Sequence, residues 1–374
     1  MAERVNRCPA CGTIYADDAV FCPRDGMRLV APPSRRGSAA RGRAEDVDHP
    51  GDREAEGAGG GAGVPPAGST PLEPPGLIGT VLDGRYRVEI KVGEGGMSFV
   101  YLARDVTTGE RYAIKLLSAS LAQDAKAMAR LRREATFGMR LIHPNICHII
   151  RLGETADGLV YVVMPYVEGE LLSDRTGRAG QLPLALTVSL VRDIAAGLQV
   201  AHEQGIVHRD LKPENVMVCR RADGSEYAVV MDFGLAKERR AGAELQKLTG
   251  TGIILGTPEF MSPEQLRGRQ LDGRTDVYSL ALITCEMLTG KLPFLGATQQ
   301  EIMMARLRGG PVPMRELRPD LDLPDGVQAV IDKALHRSPD DRFATAPEFA
   351  AALAAAQSAV PRRPEGLLAR LFRR

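Results

Sequence analysis

The sequence has no tryptophan, and aromatic residues make up only 5% of its 374 residues. It also lacks an excess of charge, since 48 Lys and Arg residues face 47 Asp and Glu residues and leave a formal net charge of +1. Nucleic-acid binding driven by the charge of the whole protein is therefore not expected. Apolar residues nevertheless amount to 44%, enough for a substantial core. The length leaves room for one large domain and one small module.

Cysteines and long apolar runs are also scarce. The six cysteines are too few for the disulfide framework of a secreted protein of this length. Cys147, Cys219 and Cys285 lie in apolar segments, where buried and unreactive thiols are expected. No apolar signal core opens the sequence, and the most apolar stretch, 277–288, is too short to span a bilayer and contains Glu286. These absences predict a cytoplasmic protein without a transmembrane segment.

The other three cysteines belong to a pattern that occurs twice within residues 1–30. Cys8 and Cys11 are two residues apart, and Cys22 and Asp25 repeat this spacing with an aspartate in the fourth position. Two such turns can present their ligands to one tetrahedral Zn²⁺, for which a carboxylate is an unusual but allowed ligand. The segment resembles the zinc ribbons of bacterial proteins, so we predict a metal-dependent module that docks a partner. The alternative is a short arm with stray cysteines.

Two further segments lack the composition of a folded core. Residues 31–76 consist mainly of Gly, Ala, Pro, Ser, Arg and Glu, and such a chain buries too little apolar surface to offset the entropy of ordering. We predict a disordered linker there. Residues 357–374 form a basic, amphipathic tail, interpreted as a frayed end, with weak contact to an anionic membrane surface or to a partner as the alternatives.

The densest cluster of reactive side chains is the sequence His-Arg-Asp-Leu-Lys-Pro-Glu-Asn at 208–215, which follows a helical pattern that ends at Gly205. Asp232 opens the triplet Asp-Phe-Gly after the strand-like run 228–231. Two carboxylates and an amide on adjacent loops suit the binding of divalent cations, because Mg²⁺ prefers oxygen ligands. The two segments resemble the catalytic loop and the metal-binding triplet of bacterial eukaryotic-like serine/threonine protein kinases.

A glycine-rich turn lies upstream between two predicted strands. The segment 85–92 alternates polar and apolar residues, and Gly93, Gly95 and Ser98 follow it. Backbone amides in such a turn can lie close over phosphates. Ser98 stands where the kinase pattern has its third glycine. The turn alone is weak evidence, and it gains weight from the motif that ends at Lys115.

Lys115 ends the sequence Tyr-Ala-Ile-Lys on a predicted strand, 111–117, and this resembles the Val-Ala-Ile-Lys motif of kinases. A helix predicted over 121–140 carries Glu134 at the position of the family's ion-pair glutamate. The resemblance implies that Lys115, fixed by Glu134, holds the α- and β-phosphates of ATP. Considered singly, both residues would be ordinary surface charges.

The resemblance also implies an ATP site between a small β-rich lobe and a large helical lobe. Strands are predicted over 147–154 and 159–164. Residues 164–169 resemble the hinge between the lobes, where Pro165 lacks an N–H group but keeps its carbonyl group. The residues implied to contact the nucleotide are Gly93, Gly95, Ser98, Val100, Ala113, Lys115, Tyr166, Val167 and Met217.

The roles in catalysis follow from the same resemblance. Asp210 would accept or orient the proton of the acceptor hydroxyl, and Asn215 and Asp232 would hold Mg²⁺ or Mn²⁺. Lys212 stands where serine/threonine kinases place a lysine against the γ-phosphate. The tyrosine-kinase pattern lacks this lysine, which favours serine and threonine as acceptors.

Regulation is implied by the arginine beside the catalytic aspartate. A phosphothreonine can pair with Arg209 and so order the activation loop. Thr249 and Thr251 lie in that loop and resemble the autophosphorylated threonines of bacterial kinases. The alternative is that they are two polar residues of a mobile loop.

Taken together, the motifs predict an α+β, bilobal protein kinase fold over residues 77–356, and an ATP-dependent serine/threonine kinase with protein substrates in bacterial signalling. A homodimer through the small lobe is a further arrangement that related kinases suggest. One rival is a pseudokinase scaffold, which would lack Lys115, Asp210 or Asp232. A second is a zinc-dependent nucleic-acid regulator, disfavoured because the basic residues within 1–30 are sparse and lack interleaved aromatics.

Overall fold

The computed structural model describes residues 5–7, 14–16, 76–95, 98–117, 125–155, 158–233 and 258–358. Two short strands near the start, β1 (Val5–Arg7) and β2 (Ile14–Ala16), pair antiparallel. From residue 76 onward, a lobe built on a sheet precedes a lobe built mainly of helices. This is the predicted α+β, bilobal arrangement.

The small lobe is built on a six-stranded antiparallel sheet in the order β3-β4-β5-β6-β8-β7. Register shifts near Val88 and Lys91 bend β4 as it approaches the glycine-rich turn. Three of the few aromatic side chains, Tyr86, Tyr101 and Tyr161, are fully buried in the core of this sheet. The strands are β3 (Val81–Leu82), β4 (Tyr86–Gly95), β5 (Ser98–Asp105), β6 (Arg111–Leu117), β7 (Arg151–Glu154) and β8 (Val160–Pro165).

One helix, α1 (Ala125–Gly138), packs against this sheet. Met128, Leu131 and Ala135 are buried, and their spacing of three and four residues gives the helix one apolar face. The sequence predicted a helix over 121–140, of which residues 121–124 lie outside the described residues.

The large lobe is mainly helical and carries a three-stranded antiparallel sheet in the order β11-β10-β9. These strands are β9 (Glu170–Leu171), β10 (Val216–Arg220) and β11 (Glu226–Val230). Single 3₁₀ turns lie at Pro213–Asn215, Pro258–Phe260 and Pro339–Asp341. The helices are α2 (Leu172–Ala179), α3 (Leu184–Glu203), α4 (Pro263–Leu266), α5 (Gly273–Thr289), α6 (Gln299–Arg308), α7 (Met314–Leu317), α8 (Asp325–Ala334) and α9 (Ala346–Ser358).

Helices α3 and α5 form the centre of the large-lobe core. Nearly every residue of α5 is buried, as expected for a helix that is apolar on all sides. Among the described residues, α3 is the one helix long and apolar enough to cross a membrane by length and composition. Half of its apolar window is buried inside the protein. Packing in the core therefore accounts for the composition of α3.

The predicted strand over 147–154 is wrong in its first half, because only Arg151–Glu154 joins the small-lobe sheet. Ile146 instead forms a parallel bridge with Val230. The amide of Cys147 donates to the carbonyl of the same Val230 at 2.8 Å. The stretch 146–147 thus takes its backbone partners from the end of β11 in the large lobe.

Candidate active site

A buried carboxylate, that of Asp276, accepts hydrogen bonds from the loop that carries Asp210. Asp276, in the first turn of α5, accepts hydrogen bonds from the amides of His208 at 2.8 Å and Arg209 at 3.0 Å, and it lies 2.7 Å from Nε2 of His202. Burial by itself raises the pKa of Asp276, but these hydrogen bonds outweigh it and hold the pKa below the ordinary value. An ionised carboxylate therefore fixes the loop, in which Arg209 has φ +64°.

Asp210, Lys212 and Asn215 are brought together on this loop. Nδ2 of Asn215 donates to the carbonyl oxygen of Asp210 at 2.7 Å and to its Oδ2 at 3.3 Å. Nζ of Lys212 lies 3.3 Å from the same Oδ2. The side chain of Asp210 is 50% exposed, whereas Asn215 is buried. The carboxylate is thus oriented by an amide and an ammonium group while it remains open to an incoming hydroxyl.

Asp232 lies on the neighbouring loop, directly after β11, with φ +61°. The two loops are joined because the amide of Met231 donates to the carbonyl of Asn215 at 2.8 Å, and the carbonyl of Met231 lies 2.9 Å from Nε2 of His208. Phe233 is buried, with its ring 4.7 Å from the His208 ring in an edge arrangement. The next residue, 234, lies outside the described residues.

An ion pair links the two lobes at this point. Nζ of Lys115, on β6, lies 2.6 Å from Oδ2 of Asp232. Burial tends to raise the pKa of Asp232, but the Lys115 ammonium group overcomes this effect and holds the pKa below its usual range. The sequence predicted Glu134 as the partner of Lys115. Glu134 lies on α1, but its side chain is outside the described residues.

An apolar cluster of side chains adjoins this ion pair. Val100, Ala113, Tyr166, Val167 and Met217, all predicted to contact the nucleotide, belong to one hydrophobic cluster. The cluster draws on β5, β6, the hinge and β10, so it spans both lobes. Such a surface suits the flat apolar faces of a purine ring.

Glycines lie at the glycine-rich turn and at the end of the hinge. Gly93 lies opposite Val100, and Gly95 lies opposite Ser98, across the β4–β5 pair, while residues 96–97 are outside the described residues. At the end of the hinge, a Cβ on Gly169 would lie 2.5 Å from the Val218 carbonyl oxygen. Glycine is therefore required where the hinge passes β10.

The same apolar cluster contains a buried thiol, Cys147, which the sequence predicted only as an inert cysteine. Burial raises the pKa of Cys147 to about 12, so the group stays a thiol. Its Sγ lies 3.7 Å from the Pro165 carbonyl oxygen. The predicted hinge acceptor thus has a weak thiol donor beside it.

A cavity of about 260 Å³ lies next to the catalytic loop, and its lining includes three carboxylates, Glu214, Glu259 and Glu286. Burial raises the pKa of Glu286 to about 7, and the charges of Glu214 and Glu259 add to the effect. Oε2 of Glu286 is buried without a hydrogen-bond partner among the described residues. The sequence signal for this residue was an acidic side chain inside the apolar stretch 277–288.

Some predicted site residues belong to other parts of the chain. The zinc ligands predicted at Cys8, Cys11, Cys22 and Asp25, and the threonines Thr249 and Thr251, lie outside the described residues. The same holds for most of the predicted linker, residues 31–75, and for the tail from 359 to 374. Within the ranges that the structure describes, no group of three or more His, Cys, Asp or Glu side chains is arranged to hold a metal ion.

Comparison with known proteins identifies relatives of this architecture. Residues 86–353 match the protein kinase domain family. Similar curated proteins are the serine/threonine-protein kinase pkn3 of Myxococcus xanthus, 37% identical over 278 residues, and PknB of Mycobacterium leprae, 38% identical over 283 residues. These alignments cover 74% and 75% of this chain, but only 51% and 44% of the relatives. The chain thus spans about half the length of the curated relatives that it matches.

Solved structures agree with this relationship. The kinase domain of Mycobacterium tuberculosis PknI is 28% identical, with a TM-score of 0.59, and the match covers 75% of this chain and 100% of that domain. A structure of Rad53 in complex with AMP-PNP matches at 25% identity with a TM-score of 0.58, over 71% of this chain and 64% of that one. The predicted kinase fold is thereby confirmed, and the chain belongs to the protein kinase domain family.

Proposed function

We propose that this protein is a serine/threonine protein kinase that transfers the γ-phosphoryl group of ATP to hydroxyl groups of proteins. The proposal depends on one observation, that two loops and one strand bring five polar residues together. Asn215 and Lys212 orient Asp210 on the first loop. Asp232, on the second loop, is paired with Lys115 of the strand. The printed names of the bacterial relatives, serine/threonine-protein kinases, support the same acceptor class.

Phosphoryl transfer depends mainly on positioning and on stabilisation of charge. Asp210 receives or orients the proton of the acceptor hydroxyl, because its carboxylate is exposed to the cleft and fixed by Asn215. Lys212 places a positive charge beside that carboxylate. This charge can stabilise the negative charge of the phosphoryl group during its transfer. Lys115 supplies a second positive charge at the junction of the lobes.

Asn215 and Asp232 would hold Mg²⁺ or Mn²⁺, and their chemistry fits such an ion. Asp232 is ionised, and the amide nitrogen of Asn215 is committed to Asp210, which leaves its oxygen for an ion that prefers oxygen ligands. When bound, the ion neutralises charge on the phosphates. The apolar cluster around Ala113 and Met217 would enclose the adenine ring.

The finer parts of the proposal concern regions beyond the described residues. They are a Zn²⁺ ion held by Cys8, Cys11, Cys22 and Asp25 in a partner-docking module, and activation by phosphorylation of the loop that contains Thr249. A cytoplasmic location and a homodimer through the small lobe are further parts of the proposal. The cysteine spacing supports the zinc module, and the family resemblance supports the regulated loop and the homodimer.

The test is phosphate incorporation from Mg-ATP into the protein itself and into a mixed histone preparation. Asp210→Asn should lower the rate by at least about a hundredfold, the scale of general acid–base assistance. Asp322→Asn, which changes an exposed aspartate between α7 and α8, is the matched control and should retain wild-type activity. Equal rates for wild type and Asp210→Asn, or phosphate found on tyrosine alone, would contradict the proposal.

A further inference from the structure

Arg306, on α6, is the largest fully buried side chain among the described residues. A buried guanidinium group is costly unless acceptors meet its donors, and burial lowers the pKa of this one. Nη2 donates to the carbonyl oxygen of Glu259, and Nη1 lies 3.5 Å from that of Met261. The ring of Phe294 lies 5.7 Å from the guanidinium carbon. Two carbonyls of one short segment therefore face the fork of a single arginine.

The segment that Arg306 contacts, Glu259–Met261, leads from a 3₁₀ turn into α4. Its central carbonyl, that of Phe260, accepts a hydrogen bond from Oγ of Ser279 at 2.8 Å. Ser262 follows as the N-cap of α4 in a capping box with Gln265. Nε2 of the same Gln265 donates to the Arg209 carbonyl at 2.7 Å. The segment is thus connected to α5, to α6 and to the catalytic loop.

The same segment forms a wall of the cleft beside the catalytic loop. Glu259 and Phe260 line the cavity of about 260 Å³ together with Pro213 and Glu214, which follow Asp210 closely in sequence. An extended polypeptide advances about 3.3–3.6 Å per residue. An acceptor whose hydroxyl reaches Asp210 therefore has its flanking residues within reach of this wall.

We propose that Arg306 is a positioning residue for the acceptor protein: by donating to the carbonyls of Glu259 and Met261, it holds this wall at the distance from Asp210 that the acceptor requires. The inference rests on the proposed kinase function. Arginine suits the task because its planar fork presents donors to two carbonyls at once, whereas lysine carries one compact ammonium group.

The test compares Arg306→Met and Arg306→Lys with Arg308→Met, which removes an exposed arginine from the same helix. With the full chain and mixed histones as the acceptor, both Arg306 variants should raise the KM for histone by about tenfold, the factor that corresponds to about 1.4 kcal/mol. The KM for ATP should change by less than about twofold, since neither carbonyl belongs to the apolar cluster that would enclose the adenine ring. Arg308→Met should match the wild type.

Hydrogen exchange provides a readout that needs no phosphotransfer. In Arg306→Met the amides of 260–262 should exchange about tenfold faster, while those of α3 keep wild-type rates. Where Arg306→Met does not fold, Arg306→Lys, which retains charge and most of the volume, provides both measurements. The expected pattern is a selective rise in histone KM together with local exchange.

Two outcomes would overturn the inference. One is that the wild type is active and that both Arg306 variants have the same KM for histone and the same amide exchange at 260–262 as the wild type. The other is a parallel rise of both KM values with faster exchange throughout the large lobe, which indicates general destabilisation. A wild type that transfers no phosphate would overturn the proposed function instead, so the two failures are distinguishable.

Discussion

Two carboxylates on helix α5, the buried Asp276 and the partly buried Glu286, have pKa values that move in opposite directions. Burial disfavours the charged form of both. Asp276 accepts hydrogen bonds from two loop amides and contacts His202, and its pKa falls. Glu286 has other carboxylates as neighbours, and burial raises its pKa to about 7. The partners, rather than burial alone, thus decide which of the two stays ionised.

Glu286 makes stability depend on pH. Its pKa rises from 4.5 to about 7 on folding, so the folded state holds the proton more tightly, and the free energy of unfolding falls as pH rises through this range. We expect Glu286→Gln to match the wild type near pH 4.5 and to be more stable by roughly 1–2 kcal/mol at pH 8, after allowance for solvent screening. Urea denaturation at both pH values measures this difference.

The control for Glu286 is Glu316→Gln, which changes an exposed glutamate on α7. It should leave the difference between the two pH values as in the wild type. A Glu286→Gln protein whose stability differs from the wild type by the same amount at both pH values would contradict the pH dependence.

At the scale of the elements, a buried ion pair holds α4 in place. Arg342, in the loop before α9, donates from both terminal nitrogens to Glu264 at 2.7 Å, and Oγ1 of Thr275 donates to the same carboxylate at 2.8 Å. Both charged residues are buried. Because α4 also contacts the catalytic loop through Gln265, this pair connects a remote loop to the site.

Breaking one half of this pair should be costly, because it leaves the other charge buried without its partner. We expect Arg342→Met to lower the free energy of unfolding by about 3–5 kcal/mol. Addition of Glu264→Leu to the same chain should restore much of the loss, because no buried charge remains. Urea denaturation of the single and double variants measures both effects. Arg337→Met, at an exposed arginine nearby, should have little effect, and a double variant as unstable as the single one would contradict this account.

At the scale of the whole molecule, the site exists only where the two lobes meet. Lys115 comes from the small-lobe sheet and Asp232 from the large lobe, and their 2.6 Å contact crosses the junction. The apolar cluster likewise draws its residues from both lobes. A change in the orientation of one lobe relative to the other should therefore alter activity, even when the reacting groups themselves are unchanged.

The predicted regulation by phosphorylation belongs to this scale. Replacing Thr249 and Thr251 together with alanine should lower histone phosphorylation severalfold, because a phosphothreonine could no longer pair with Arg209 and order the loop. A matched control replaces Thr107 and Thr108, an exposed pair in a turn of the small lobe. Unchanged activity in the first double variant, with phosphate mapped elsewhere, would contradict this regulation.

Much of the architecture was predictable because its signals are local. The strand that alternation predicts over 85–92 is β4, Tyr86–Gly95, and the helix before Gly205 ends where the glycine predicts, with φ +73° at that residue. The error over 147–154 has a different origin. Ile146 and Cys147 bond to Val230, which lies more than 80 positions away, and no pattern in the neighbouring residues reports such a partner.

The sequence by itself determined which side chains can carry the chemistry, because the catalytic loop, the Asp-Phe-Gly triplet and the strand lysine are recognised from residue type and order. Only the tertiary structure decided that Lys115 contacts Asp232 and that the pKa of Glu286 is raised to about 7. It also decided that Arg306 is buried against the carbonyl groups of Glu259 and Met261. These properties depend on local dielectric and on contacts between distant residues, which exist only when the chain is folded.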